Sequence, residues 1–351
     1  MLRLAAAALA SLLTAGTAPT TTTTAPPPAR AELLVDVDNG NILYAQDAHV
    51  PMPPGSLTKM LTAMIAVDWL PPDAQVPVDA VAANAYPDRL GMKAGQVWPF
   101  SIVLNALLID SANDAAYALA ERVSGSLQGF AATMQEAAAQ IGMRDHPVLE
   151  DPAGLDGSEG FDGGNRISAY DLATAARDMM ANPELAAIAD THRFGFKGPD
   201  GVVYSLLNKN IYFLLSYPGA IGVKTGYTDA AGFCVVEEAE RAGRKMMAVV
   251  LNGANAYQTA ADLLNEGFAT PVSAEPVRAA TLPAVTEPFP PPPPPPPTTA
   301  RRDPVRLARA APVRVQRSYL PATIAAALFV AGILLTARQI RLEKRRRRPH
   351  P

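Results

Sequence analysis

An α+β fold whose first and last strands share one sheet is predicted by three observations. Near the start of the folded part, Leu33-Leu34-Val35-Asp36-Val37, then Asn39-Gly40, then Ile42-Leu43-Tyr44 reads as a β-hairpin closed on an Asn-Gly turn. Near its end, residues 233–236 and 246–251 are two more strand-like runs. Between them, apolar residues recur at helical spacing.

The ends of the chain are not part of that fold. Residues 1–18 have the layout of a secretory signal: Arg3, an apolar core over residues 4–13, then small residues through Ala18. Residues 19–31 form a Thr/Pro-rich spacer. The folded domain is expected over 32–270, followed by a Pro-rich linker over 271–319 whose polyproline run is an extended, semi-rigid spacer. Residues 320–337 carry no charge and are just long enough to cross a bilayer. Four arginines precede that segment within 15 residues, and seven basic residues follow it in the tail, 338–351. The positive-inside rule puts that tail in the cytoplasm, so the expected layout is a single-pass cell-membrane protein with its folded domain outside.

Charge follows the same division. Residues 32–275 carry 14 Lys and Arg against 30 Asp and Glu, a net of −16, whereas the rest carries 16 basic and 3 acidic residues. The acidic domain argues against nucleic-acid binding, and the basic tail points to an anionic surface. The single cysteine, Cys234, forms no intramolecular disulfide and reads as a small buried side chain in a strand.

The first stretch that carries chemistry is Pro54-Gly55-Ser56-Leu57-Thr58-Lys59. Pro53, Pro54 and Gly55 discourage helix, while Leu57, Met60, Leu61, Met64, Val67 and Leu70 have the spacing of a buried amphipathic one. Ser56 is therefore expected near the first turn, and Lys59, three residues on, shares its helix face. A serine attacks carbonyls poorly until a base takes its proton, and a lysine is that base only if burial or a second cation lowers its pKa. With 12 serines and 7 lysines, a random chain of this length holds roughly a quarter of one Ser-x-x-Lys match. A capping serine beside a solvated lysine satisfies the same pattern.

Residues 92–98 read as strand or loop, and the apolar run over 102–109 stops at Asp110. The second stretch, Asp110-Ser111-Ala112-Asn113-Asp114, opens a helix ending near Gly125, and such clusters are ordinarily caps and turns. The third, Gly222-Val223-Lys224-Thr225-Gly226-Tyr227-Thr228, places a lysine inside an apolar strand, where it needs a partner or a task. Residues 256–268 read as a closing helix.

In the order Ser-x-x-Lys, Ser-x-Asn, Lys-Thr-Gly, these stretches resemble the low-molecular-mass penicillin-binding proteins of the D-alanyl-D-alanine carboxypeptidase type, among the serine-lysine acyltransferases that include the β-lactamases. The resemblance covers most of residues 32–268 and extends to Asp151-Pro152-Ala153-Gly154-Leu155, to residues 168–176, and to Thr228, Gly232 and Cys234. Gly55 stands where the family more often has alanine.

The resemblance implies an α/β (α+β) sandwich, β-lactamase/transpeptidase-like: a mainly antiparallel sheet covered by helices, with a helical lobe over 101–191. It implies Ser56 as nucleophile, Lys59 as its base and Ser111 as proton relay. Asn113, Lys224, Thr225 and Gly226 would bind substrate, Gly226 by leaving room for substrate backbone. The N–H groups of Ser56 and Tyr227 would hold the oxyanion. The substrate it implies is a peptidoglycan stem peptide ending in D-Ala-D-Ala, with β-lactams as acylating partners and no cofactor.

Three other enzyme classes fit less well. The four histidines are scattered, without helical metal-ligand spacing, and no Gly-x-Ser-x-Gly elbow is present. Glu150 and Glu184 lack the asparagine context of a class A β-lactamase. A low-turnover penicillin-binding sensor or peptidoglycan-binding module would keep the same serine. Endopeptidase and transpeptidase action would use the same residues with another acyl acceptor.

Overall fold

A computed structural model of the chain describes residues 29–286 except 86, 158–163 and 278–279. Strands β1 (Ala31–Asp36) and β2 (Ile42–Gln46) form the hairpin, with Leu34 opposite Tyr44. Its connection over 37–41 is longer than a two-residue Asn-Gly turn. The Val37 N–H leaves the hairpin ladder for the Lys245 carbonyl, and Gly40, at φ 79°, closes the loop on the Asp36 carbonyl.

A 3₁₀ turn, Gly55–Thr58, runs into α1 (Lys59–Trp69). Strands β3 (Gln75–Pro77) and β4 (Val97–Pro99) pair around α2 (Ala80–Ala83), which the Asp79 carboxylate caps. Residues 92–98 are thus mostly loop, ending in a short strand. The lobe follows as α3 (Phe100–Ile109), α4 (Asn113–Ser124), α5 (Leu127–Gln140), α6 (Ala169–Ala181) and α7 (Pro183–Ala189). Helix α4 stops at Gly125 in the left-handed conformation, and Ser168 caps α6. The ribbon of β5 (Arg193–Lys197) and β6 (Val203–Leu207) and the short α8 (Ile211–Ser216) lead into β7 (Ala220–Thr228), β8 (Gly232–Arg241) and β9 (Arg244–Leu251), and α9 (Ala256–Ala269) closes the domain.

Five strands form an antiparallel sheet in the order β2-β1-β9-β8-β7. The first and last strands in the chain are therefore neighbours, Leu34 opposite Ala248. Side chains alternate across a strand, and here both faces are covered. Leu33, Val35, Val236, Met247 and Val249 pack with Met60 of α1 and with lobe residues such as Leu107 and Leu172. Leu34, Val235, Ala248 and Val250 pack with Leu263 and Leu264 of α9. Each such Leu, Val or Met side chain contributes about 1.5–3 kcal/mol on burial. Double coverage is why β9 reads as an unbroken apolar run rather than an alternating one. Strand β7, at the edge of the sheet away from β2, carries Lys224.

The chain after α9 departs from a free linker. The Leu282 side chain is buried, its N–H donates to the Gly40 carbonyl, and Arg177 donates to the Pro283 carbonyl at 2.7 Å. One apolar residue among prolines carries no periodicity, so this docking has no sequence signature. Among the described residues, no helix is long and apolar enough to cross a membrane. The expected signal at 1–18, the span at 320–337 and the basic tail lie outside the described residues.

Candidate active site

The turn that carries Ser56 is tighter than the helix expected there, because Gly55 adopts φ 55° and the Leu57 N–H turns back to the Pro54 carbonyl. Lys59 then begins α1, fully buried, with its Nζ 2.6 Å from Ser56 Oγ. The same nitrogen lies 2.8 Å from Asn113 Oδ1 and 2.9 Å from the Ala153 carbonyl oxygen. Burial first, and the Lys224 cation second, lower the Lys59 pKa well below its ordinary 10.5. A neutral amine has two N–H groups and one lone pair. The two purely accepting oxygens take the N–H groups, and the lone pair is left for the Ser56 hydroxyl proton.

The second cation stands across the cleft. Lys224, buried in β7, donates to Ser111 Oγ at 3.0 Å and to the Thr225 carbonyl at 2.9 Å. Burial, then the Lys209 charge, bring its pKa down to about 7. Ser111 occupies the left-handed region, φ 58°, at the corner between α3 and α4, a conformation that costs a non-glycine residue roughly 1–2 kcal/mol. That corner lets Ser111 and Asn113 line the same cleft as Ser56, Thr225, Gly226 and Tyr227.

Gly226 lines the cleft, and its missing side chain also serves the protein's own packing. A Cβ there would come within 2.8 Å of the Pro54 carbonyl oxygen, 3.0 Å of the Ser56 nitrogen and 3.1 Å of the Leu57 nitrogen. The missing side chain is what lets β7 lie against the serine turn. The Tyr227 nitrogen belongs to the same contact, 3.1 Å from where a Gly55 Cβ would sit.

Several partners of these groups carry no signal of their own in the sequence. The Ala153 carbonyl is aimed at Lys59 by a loop that Asp151 holds: its Oδ1 accepts from the N–H groups of Ala153, Gly154 and Leu155, and its Oδ2 accepts from the Tyr117 hydroxyl. Asn165 accepts from the Glu150 and Asp151 N–H groups and donates to Thr58 Oγ1 at 3.1 Å, tying that loop to the serine turn. Thr62 Oγ1 donates to the Pro152 carbonyl at 2.7 Å. Gly154 presses against the turn so closely that a Cβ would lie 2.0 Å from the Gly55 carbonyl oxygen. Asp114 accepts from the N–H groups of Leu90, Gly91 and Met92, which shapes the loop opposite, and Lys209 reaches the cleft rim within 3.6 Å of Asp88. Of these partners, Thr58 and Asp114 lie within the motif stretches and loop 151–155 resembles a family segment, but none of their contacts has a sequence pattern. Among the described residues, no cluster of His, Cys, Asp and Glu is arranged to hold a metal. Cys234 lies fully buried in β8, and burial raises its thiol pKa to about 11.

Comparison with known proteins points one way. A family model described as D-alanyl-D-alanine carboxypeptidase matches residues 18–255. The D-alanyl-D-alanine carboxypeptidase DacB2 of Mycobacterium tuberculosis is 34% identical over 247 residues, covering 69% of this chain and 82% of that one. The DacF enzyme of Bacillus subtilis is 27% identical over 227 residues, and there the match spans 57% of the relative. The crystal structure of a D-alanyl-D-alanine carboxypeptidase from M. tuberculosis superposes with a TM-score of 0.66 at 33% identity, covering 72% of this chain and 97% of that one. A mutant of the Streptomyces K15 DD-transpeptidase gives 0.64 at 26% identity, covering 70% and 100%.

Proposed function

The chain belongs to the D-alanyl-D-alanine carboxypeptidase family, and from that premise we propose that it trims the terminal D-alanine from peptidoglycan stem peptides through an acyl-enzyme on Ser56. One observation carries the reading: a buried lysine with a lowered pKa stands 2.6 Å from a serine hydroxyl that opens onto a cleft. In this mechanism Lys59 takes the Ser56 proton as Oγ attacks the carbonyl between the two D-alanines. The N–H groups of Ser56 and Tyr227 stabilise the oxyanion. Ser111 passes a proton to the leaving D-alanine nitrogen as the peptide bond breaks. Water then attacks the ester, gives up its proton along the same route and frees Ser56. Asn113 holds the substrate amide through its remaining amide group, and Lys224 with Thr225 binds the terminal carboxylate. A β-lactam enters as a cyclic amide and acylates the same oxygen.

The chain is further proposed to act outside the cell membrane, held by a single span over 320–337 with the basic tail inside, an arrangement supported by the charge asymmetry about that segment. The acyl acceptor is proposed to be water. The Streptomyces neighbour's name favours a transpeptidase as second reading, in which an amine replaces that water.

Release of D-alanine from a D-Ala-D-Ala stem peptide by the full chain, with fluorescent penicillin as parallel label, tests the proposal. Release together with labelling that Ser56→Ala abolishes is expected. Labelling without release supports a transpeptidase or a sensor, and unchanged labelling of Ser56→Ala removes the nucleophile from the scheme. Recovery of the full chain in the membrane fraction, and of a chain ending at 319 outside it, is expected if the span anchors the enzyme.

A further inference from the structure

Behind the cleft, on the α9 side of the sheet, β8 buries a carboxyl group the mechanism does not use. Glu237 is fully buried, and its Oε2 accepts a 2.7 Å hydrogen bond from Asn210 Nδ2. The other two polar atoms of this pair, Glu237 Oε1 and Asn210 Oδ1, are both buried and without a partner. Two buried polar atoms without partners are costly unless they satisfy one another. They do so if the carboxyl carries its proton: the acid O–H is the donor Asn210 Oδ1 lacks, and acid and amide close a ring of two hydrogen bonds. Burial, which holds the Glu237 pKa well above the ordinary carboxylate range, favours that form.

The position of the pair gives it a consequence. Glu237 lies directly opposite Val223, the residue before Lys224. Asn210 ends the segment 208–210, whose middle residue, Lys209, lines the cleft. That segment is anchored to the lobe by the Lys209 N–H on the Ile109 carbonyl and by Asn208 Nδ2 on the Ala189 and Thr191 carbonyls. On the sheet side, its strong tether among the described residues is Glu237. A 3.5 Å contact from the Tyr257 hydroxyl to the Lys209 carbonyl is the weaker addition.

We propose that Glu237 is a positioning residue for substrate binding: through Asn210 it ties segment 208–210 to the sheet and so fixes the Lys209 wall of the cleft relative to Lys224. The proposal rests on the carboxypeptidase reading above, which D-alanine release by the unaltered chain tests separately. Glutamine keeps both hydrogen bonds of the ring, one accepted by its oxygen and one donated by its nitrogen. Leucine keeps the bulk and loses both.

The experiment measures kcat and KM for D-alanine release, the rate of fluorescent-penicillin labelling and the thermal midpoint for Glu237→Gln, Glu237→Leu and Asn210→Ala in the full chain. Glu237→Gln is expected within about twofold of the unaltered enzyme in every parameter, whereas the other two raise KM about tenfold and leave kcat within about threefold. Asn210→Ala breaks the pair from the loop side, so it decides the matter should Glu237→Leu not fold. An unchanged KM in Asn210→Ala would overturn the proposal. So would a Glu237→Gln variant as impaired as Glu237→Leu, or a loss that appears in kcat and KM only in step with a fallen midpoint.

Discussion

Lys224 and Ser111, 113 residues apart in the chain, meet at 3.0 Å across the cleft, one from the edge of the sheet and one from a strained corner of the helical lobe. That contact sets a cation beside Lys59 and contributes to the lowering of the Lys59 pKa. Replacing Lys224 by methionine removes the charge and keeps the bulk. The Lys59 pKa then rises, so less of the free amine is present at neutral pH. The limb over which penicillin acylation speeds up with pH is expected to move to higher pH, read from labelling rates across the neutral to alkaline range. An unmoved limb would separate Lys224 from the titration of Lys59.

Lys59→Ala leaves Ser56 without a proton acceptor, and acylation is expected to slow by about 10²–10⁴-fold. Lys59→Arg is not expected to restore it, since a guanidinium stays protonated and offers no lone pair. Stopped-flow labelling checks both, with circular dichroism showing that each variant is folded.

Gly226→Ala tests the approach of β7 to the serine turn. The added methyl meets three backbone atoms of that turn, none of which yields as a flexible side chain would. Labelling is expected to slow by about 10²-fold, the scale of a displacement near 1 Å at a catalytic group, while thermal stability falls by only a few degrees. A Gly226→Ala enzyme with ordinary labelling would show that the close approach is not needed.

Asp151→Ala removes the carboxylate that orders residues 153–155 and accepts from Tyr117. Destabilisation of about 2–4 kcal/mol is expected by chemical unfolding, because several buried donors lose their acceptor. Labelling should slow as well, since the Ala153 carbonyl no longer holds Lys59 in place. A variant that loses stability but acylates normally would limit Asp151 to a structural part.

Asp178 accepts from the Thr286 N–H, and burial raises its pKa to about 6. A carboxyl group with a raised folded-state pKa binds more protons folded than unfolded, so its contribution to stability is present below about pH 4 and is lost as pH rises through 6. Asp178→Asn is therefore expected to raise the thermal midpoint by a few degrees at pH 7.5 and to leave it nearly unchanged near pH 4. The opposite order would mean that the ionised form is the favoured one.

Strands and helices were legible where a pattern repeats. The Leu33 to Tyr44 stretch, the periodic residues after Ser56 and the apolar runs of β8 and β9 each announce an element through local spacing. The 3₁₀ turn at Ser56, the longer hairpin connection at 37–41 and the docking of Leu282 were not legible, because each depends on a partner far along the chain: β7, the Lys245 carbonyl and the Gly40 carbonyl.

The same division holds for the candidate site. Residue type and spacing marked Ser56, Lys59 and Lys224 as residues in need of a task, and the resemblance of the three stretches, in their order, to a known family supplied the roles expected of Ser111, Asn113, Thr225, Gly226 and Tyr227. The sequence by itself also determined that a lysine base would need its pKa lowered, by burial or by a second cation. Which groups tune and hold that base was decided by tertiary structure: burial of both lysines, the Ala153 carbonyl, the Asp151 loop, and the glycine that fits a strand against a turn. A pKa depends on the solvent and charge a fold removes or brings near, and a close approach depends on two backbones meeting, so neither is a property of any one stretch of chain.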